Sequence, residues 1–264
     1  MKFDLHCHIK GGSIDSRVSL ERYIQLLKEQ HFDGMMITDH DSYRACKYWD
    51  KIKNRPEYRD FTVIRGVEYD TKDAGHFLVI MPDDLYLPVL TIRGMDVARL
   101  IRIVHQYGGL LGPAHPYGVR SSSAMLFSYM SQHPHSIREI DFIETFNTCE
   151  APLSNVLAHK MAGKYGKVGL GGTDSHAERY IGMGFTEIDA RVTCNNDLIR
   201  AIREKRIVHA GGTERKATIK SKMKDSQMGI LGFQIYNQGL GHLLTPYRAL
   251  RERMMKSSPK YAHH

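Results

Sequence analysis

Where its polar residues fall constrains this chain more than anything else. Short apolar runs of strand length end repeatedly on His, Asp, Glu or Asn. The first is Met1 to His8, Met-Lys-Phe-Asp-Leu-His-Cys-His. Phe3 and Leu5 alternate with polar neighbours, which predicts a short strand. Side chains at i and i+2 of a strand leave the same face. His6 and His8 are therefore expected to project together from the strand's C-terminal end, as a ready pair of metal ligands. Cys7 alternates to the other face and is expected to be a small buried residue.

The pattern recurs down the chain. Gly34 to Thr38 predicts a buried strand ending at Asp39-His40-Asp41. Phe61 to Val67 ends at Glu68, Leu110 to Ala114 at His115-Pro116, and Ile140 to Phe146 at Asn147. Val168 to Gly172 ends at Thr173-Asp174-Ser175-His176. His76 to Met81 is a strand that begins on its His, and Arg206 to Ala210 a short last one. Helices are expected between them. Ser19 is an N-cap before Leu20, Ile24 and Leu27, which share one face. Further helices are expected over Tyr43 to Ile52, Met95 to Tyr107, Ala151 to Tyr165 and Asn195 to Lys205.

Strands alternating with helices predict parallel strands with helices outside. No Gly-x-Gly-x-x-Gly turn follows the first strand, so a nucleotide-binding doubly wound sheet is not supported. Polar residues gathered at strand ends fit a (β/α) barrel, whose active site lies on that rim. We expect the barrel over residues 1–210 and a C-terminal extension packed on it over 211–264. Met223 to Gly241, rich in Gly and Gln, predicts no particular element.

The four cysteines are scattered without a Cys-x-x-Cys, which argues against a zinc ribbon or disulfide framework. No apolar run approaches the roughly 20 residues that span a bilayer. The chain enters a strand directly, with no charged-then-apolar leader, and a cytoplasmic location is expected. Net charge is +8, which favours anionic partners such as phosphate esters or nucleic acid. Much of the excess lies in Arg215 to Lys224 and Arg248 to Lys260, where a solvated basic face is the simpler reading. His263-His264 has the look of a tag remnant and is set aside.

The ordered pieces Asp-Leu-His6-Cys-His8, Ile-Thr-Asp39-His40-Asp41, Gly66-Val-Glu68, His76-Phe-Leu-Val, Ala114-His115-Pro116, Glu144-Thr-Phe-Asn147 and Gly172-Thr-Asp174-Ser-His176 resemble the PHP-domain phosphoesterases, the polymerase-and-histidinol-phosphatase superfamily. They cover residues 3 to about 210 in the family's order. The resemblance implies a distorted seven-stranded (β/α) barrel with two or three divalent metals. Carried over by position, the first metal takes His6, His8, Glu68 and Asp174. The second shares Glu68 and adds His76 and His115. The third takes Asp15, His40 and His176. Asp15 is the poorest match, because Gly11-Gly12 lengthens its loop. Asp39 and Asn147 also match motif positions, as supporting or substrate-contacting residues. Asp41, Glu144 and Ser175 read as turn or capping residues.

Imidazole and carboxylate ligands without cysteine suit Mn, Fe or Zn. A bridging carboxylate such as Glu68 holds two cations close enough to generate hydroxide for in-line attack on a phosphoryl group. Glu68, Asp174 and His176 are the expected catalytic residues. Lys10, Arg120 and Arg179 lie in the right loops to contact substrate phosphate. The expected activity is metal-dependent hydrolysis of a small phosphomonoester. The alternatives are a 5′-to-3′ exonuclease or nucleoside bisphosphatase with an oligonucleotide as partner, and a non-catalytic metal-binding module. Amidohydrolase chemistry fits the Glu68 and His40 pieces poorly. Nothing in the sequence fixes the oligomeric state.

Overall fold

The computed structural model describes residues 1–120, 122–133, 135–215, 226–258 and 261. The basic stretch 216–224 and the terminal His pair lie outside the described residues. In chain order the elements are β1 (Lys2–Cys7), α1 (Leu20–Glu29), β2 (Gly34–Ile37), α2 (Arg44–Ile52), β3 (Thr62–Asp70), β4 (His76–Ile80), α3 (Val97–Gln106), β5 (Leu110–Pro113), α4 (Ser128–Gln132), α5 (Ser136–Glu139), β6 (Phe142–Asn147), α6 (Pro152–Tyr165), β7 (Val168–Gly172), β8 (Gly184–Ile188), α7 (Asn195–Arg203), β9 (Ile207–Gly212), α8 (Gln227–Leu243) and α9 (Thr245–Lys256).

Seven strands form one curled sheet in the order β5-β4-β3-β2-β1-β8-β9, and β6-β7 form a separate pair. That pair closes the gap between β5 and β1. Asp141 N donates to Leu111 O at 2.9 Å on one side, and Asp174 N to His6 O at 2.8 Å on the other. The result is a distorted (β/α) barrel. The alternation predicts an all-parallel sheet, and the structure departs from it. β4 runs antiparallel to β3 and β5, and β8 antiparallel to β1 and β9. The link between β3 and β4, residues 71–75, is too short for a crossover and turns back as a hairpin. β8 has no counterpart among the expected strands.

Two apolar clusters divide the barrel wall. Met36, Ile64, Leu78, Ile80, Phe142 and Leu170 face inward, while Met35, Ile37, Val63, Val67, Phe77 and Val79 face the helices. Strand alternation then carries the inward files up to Glu68, His76 and Glu144 at the rim. β1 needs one adjustment. Phe3 and Leu5 are in the inner cluster but Cys7 is in the outer one, and the β1–β2 register slips between Asp4 and Cys7. That irregularity changes the parity of the strand. It turns His6 and His8 inward above Phe3 and Leu5.

The α1 helix starts as expected. The side chain of Ser19 accepts from Arg22 N, and Leu20, Ile24 and Leu27 are buried. The largest departure is α8. A helix carrying Gly229, Gly232, Gly239 and Gly241 has poor intrinsic propensity, so sequence periodicity does not reveal it. Its formation depends on tertiary contacts to the barrel.

Candidate metal centre

All nine side chains expected as ligands reach one rim. Glu68, at the end of the inward file of β3, is the hub. Its Oε1 lies 2.9 Å from His76 Nδ1 and 3.0 Å from His115 Nε2. Its Oε2 lies 3.0 Å from His40 Nδ1, 3.3 Å from His8 Nε2 and 3.5 Å from His6 Nε2. Asp174 Oδ1 stands 3.1 Å from His8 Nε2 and 3.5 Å from His6 Nε2. Asp15 Oδ2 is 3.1 Å from His176 Nε2 and 3.7 Å from His40 Nε2. His76 begins its strand and still reaches the rim, because β4 runs antiparallel.

Three groups of donor atoms converge within 4.8 Å: His6-His8-Glu68, His40-Glu68-His76 and His8-His40-His176. The middle and last groups differ from the expected partition, since His40 approaches Glu68 and His8 approaches the His40-His176 pair. His8 stacks on both rings, with centroids 4.6 Å from His40 and 4.2 Å from His176.

These residues fit divalent cations. His6 Nε2 and His8 Nε2 point at each other across 3.2 Å. Glu68 Oε2 is buried and makes no hydrogen bond. A buried carboxylate oxygen that accepts no hydrogen bond costs stability, and without a cation its charge would have to be neutralised by protonating imidazoles crowded round it. A cation takes the place of those protons. The electrostatics agree. Burial alone would raise the Glu68 carboxyl, but His76, His40 and His6 outweigh it and hold it well below the usual carboxylate range. Burial likewise opposes ionisation of Asp174, yet His6 and His8 depress it strongly. Burial works against protonated His8 and His115. Their carboxylate neighbours, Asp174 and Glu68 for His8 and Glu68 for His115, still push both up to about 9.

The ring atoms facing away from the cluster are held as well, which fixes the orientation of the rings. His6 Nδ1 donates to Glu144 Oε1 at 2.8 Å. Glu144 Oε2 in turn accepts from His115 N at 2.5 Å and Asn147 Nδ2 at 3.2 Å. Glu144 is therefore a site residue and not a turn residue; its inward position on β6 was the available signal. His8 Nδ1 lies 3.0 Å from Ser13 Oγ, which donates to Asp39 Oδ1 at 3.0 Å. Burial raises the Asp39 carboxyl to about 6. Gly12 makes room for it: a Cβ there would meet Asp39 Oδ2 at 1.7 Å. Asn147 Nδ2 also reaches Asp174 Oδ2 at 3.3 Å. Asp70, Ser13 and Ser123 are further supporting residues that sequence reading misses. His115 and Asp174 hold left-handed backbone, at φ 31° and 51°, a strained conformation for non-glycine residues that is typical of functional positions.

Lys10, Arg120 and Arg179 are exposed on the loops after β1, β5 and β7. Arg179 lies over the Tyr180 ring, 4.7 Å from its centroid. Arg215, at the start of the basic stretch, lies over the same ring at 5.4 Å. No described helix is long and apolar enough to cross a membrane.

A search of curated proteins finds no match. Among solved structures, PsfC from Pseudomonas syringae superposes with a TM-score of 0.60 at 16% identity, over 90% of this chain and 98% of its own. A two-domain protein from Bacteroides vulgatus containing a predicted PHP-like metal-dependent phosphoesterase gives 0.54 at 18% identity, over 78% of this chain and 63% of its own. The lesion-specific endonuclease EndoQ from Pyrococcus furiosus gives 0.57 at 18% identity, over 80% and 59%. At such identities these likenesses establish the fold. The sequence itself matches the PHP domain over residues 4–162 and the PHP-associated region over 152–207. The first match covers more than half of the chain and every expected ligand but Asp174 and His176; the chain belongs to the PHP-domain family of metal-dependent phosphoesterases.

Proposed function

We propose that this enzyme hydrolyses a small phosphomonoester, with His6, His8, Glu68 and Asp174 holding one divalent cation and Glu68, His76 and His115 a second. The observation that carries the reading is Glu68, whose two oxygens collect five imidazoles while Oε2 has no hydrogen bond. Mn, Fe and Zn all suit this donor set. When bound, such cations supply an acidified water and neutralise phosphoryl charge.

The protein's own residues do the rest. Glu68 and Asp174 stay ionised in a buried setting and fix the charge of the site. Glu144 and Ser13 hold the outer nitrogens of His6 and His8, so neither ring can turn away. We assign His176, whose Nε2 faces Asp15 Oδ2 at 3.1 Å, the role of passing a proton toward the leaving oxygen. With a third cation bound, Asp15, His40 and His176 would be its ligands instead. We assign Lys10, Arg120 and Arg179, exposed on the loops after β1, β5 and β7, the role of meeting the substrate's phosphate.

The test is turnover of p-nitrophenyl phosphate by purified protein with added Mn²⁺, Fe²⁺ or Zn²⁺. We expect activity that a chelator removes and the metal restores. A metal-loaded protein inert toward a broad panel of phosphomonoesters would overturn the reading. A second reading, a nucleic-acid substrate, draws on the +8 net charge and on the likeness to an endonuclease fold. Shortening of labelled oligonucleotides under the same conditions would favour it.

A further inference from the structure

Helix α8 is exposed along most of its length, yet Asn237 in its middle is buried. Asn237 Nδ2 donates to Asp70 Oδ1 at 3.0 Å. Asp70 is itself buried, and the same oxygen lies 3.9 Å from His76 Nε2. The other nitrogen of that ring is the one that meets Glu68. One turn earlier, Gln234 Nε2 donates to Leu126 O at 3.1 Å. Leu126 closes the loop in which Ser123 Oγ lies 3.4 Å from His115 Nδ1. One turn later, Gly241 packs backbone to backbone on Gly94, where an added Cβ would sit 2.6 Å from Gly94 O. Buried Arg248 of α9 donates to Arg93 O at 2.7 Å, and the Arg93 guanidinium pairs with Asp70.

Residues 234, 237 and 241 share one helix face, and that face reaches both segments that support His76 and His115. Packing alone does not account for its polarity. Asn237 Oδ1 is buried without a partner, which is costly; an apolar side chain would bury more favourably. A metal-bound histidine is held in place by what its outer nitrogen meets, and loss of such support costs about 10–100-fold in metal affinity. We infer that α8 is a clamp that positions His76 and His115 for the second cation, acting through Asp70 and the 115–126 loop. Asn237 and Gln234 are its positioning residues, and residues 226–258 are part of the metal site. The inference rests on the two-cation reading above.

Calorimetric titration of the full metal-free chain with Mn²⁺ or Zn²⁺, together with metal content after dialysis, tests it. In wild type we expect two classes of cation. Asn237→Ala should weaken one class by about 10–100-fold and leave the other unchanged, and Gln234→Ala should weaken the same class. Tyr236→Ala, on the exposed face of α8, should change neither. A merely structural role for Asn237 would lower the melting temperature without separating the two classes. Asn237→Asp keeps the side-chain volume, sets a second carboxylate against Asp70, and serves if the alanine variant does not fold. Two unchanged affinities in folded Asn237→Ala or Asn237→Asp protein would overturn the clamp. A wild-type chain that binds no cation at all would instead overturn the metal reading.

Discussion

The two sides of the rim carry the same kinds of donor atom but differ in how they are held. His6, His8 and Glu68 are fully buried, and the outer nitrogen of each of these two histidines meets a side chain that is fixed in turn. On the other side, Asp15 is 51% exposed, His176 31% and His40 28%. Asp15 sits on the loop that follows Gly11, where φ is +87°. The buried side is held by the protein's own side chains, Glu144 on His6 and Ser13 on His8. The open side is left accessible to water and substrate. Burial, more than ligand identity, separates fixed machinery from the part that can be approached.

Glu68→Gln should produce the largest effect. The amide keeps the shape but removes the charge that the surrounding imidazoles face. We expect kcat/KM for p-nitrophenyl phosphate to fall by about 10³-fold or more, several kcal/mol of transition-state stabilisation. Bound metal should fall with it. Wild-type turnover in this variant would place the reaction centre elsewhere. Asp15→Asn, on the open side, should cost much less, about tenfold, and remove no more than one cation per chain. A loss equal to that of Glu68→Gln would break the ranking by burial.

The gathering of these side chains on one rim was legible in the sequence because they stand at the ends of barrel strands. His-x-His on β1, Glu68 after its run and the Asp174-Ser-His176 turn each follow from strand alternation and position. The misses have physical reasons. Glu144 resembles any strand glutamate until the barrel closes and sets it against His6. The parity change in β1 depends on its pairing with β2. Asp70 lies one residue beyond Tyr69, on a strand that extends past its expected end at Val67. α8 was unreadable because its glycines mask the helical period, and what orders it is the distant surface formed by Asp70, Gly94 and Leu126.

The smallest expected effect sharpens the same contrast outside the site. His105 Nε2, on α3, lies 3.0 Å from Asp141 Oδ2, nearly the separation of His6 and Glu144 at 2.8 Å. Here the imidazole is 38% exposed. The hydrogen bond to Asp141 raises the His105 pKa, against the pull of partial burial. A folded-state value above the unfolded value of about 6.5 stabilises the protein fully below that pH. The contribution is lost as pH rises through the folded value. Solvent screening limits an exposed pair to at most about 1 kcal/mol, on the order of 2–4 °C in melting temperature. His105→Gln should therefore melt slightly below wild type at pH 5.5, with the gap closing by pH 9, and should leave turnover of p-nitrophenyl phosphate at the wild-type level. A gap well above 4 °C, or one that does not change with pH, would mean that the pairing itself and not its burial sets the strength of these contacts.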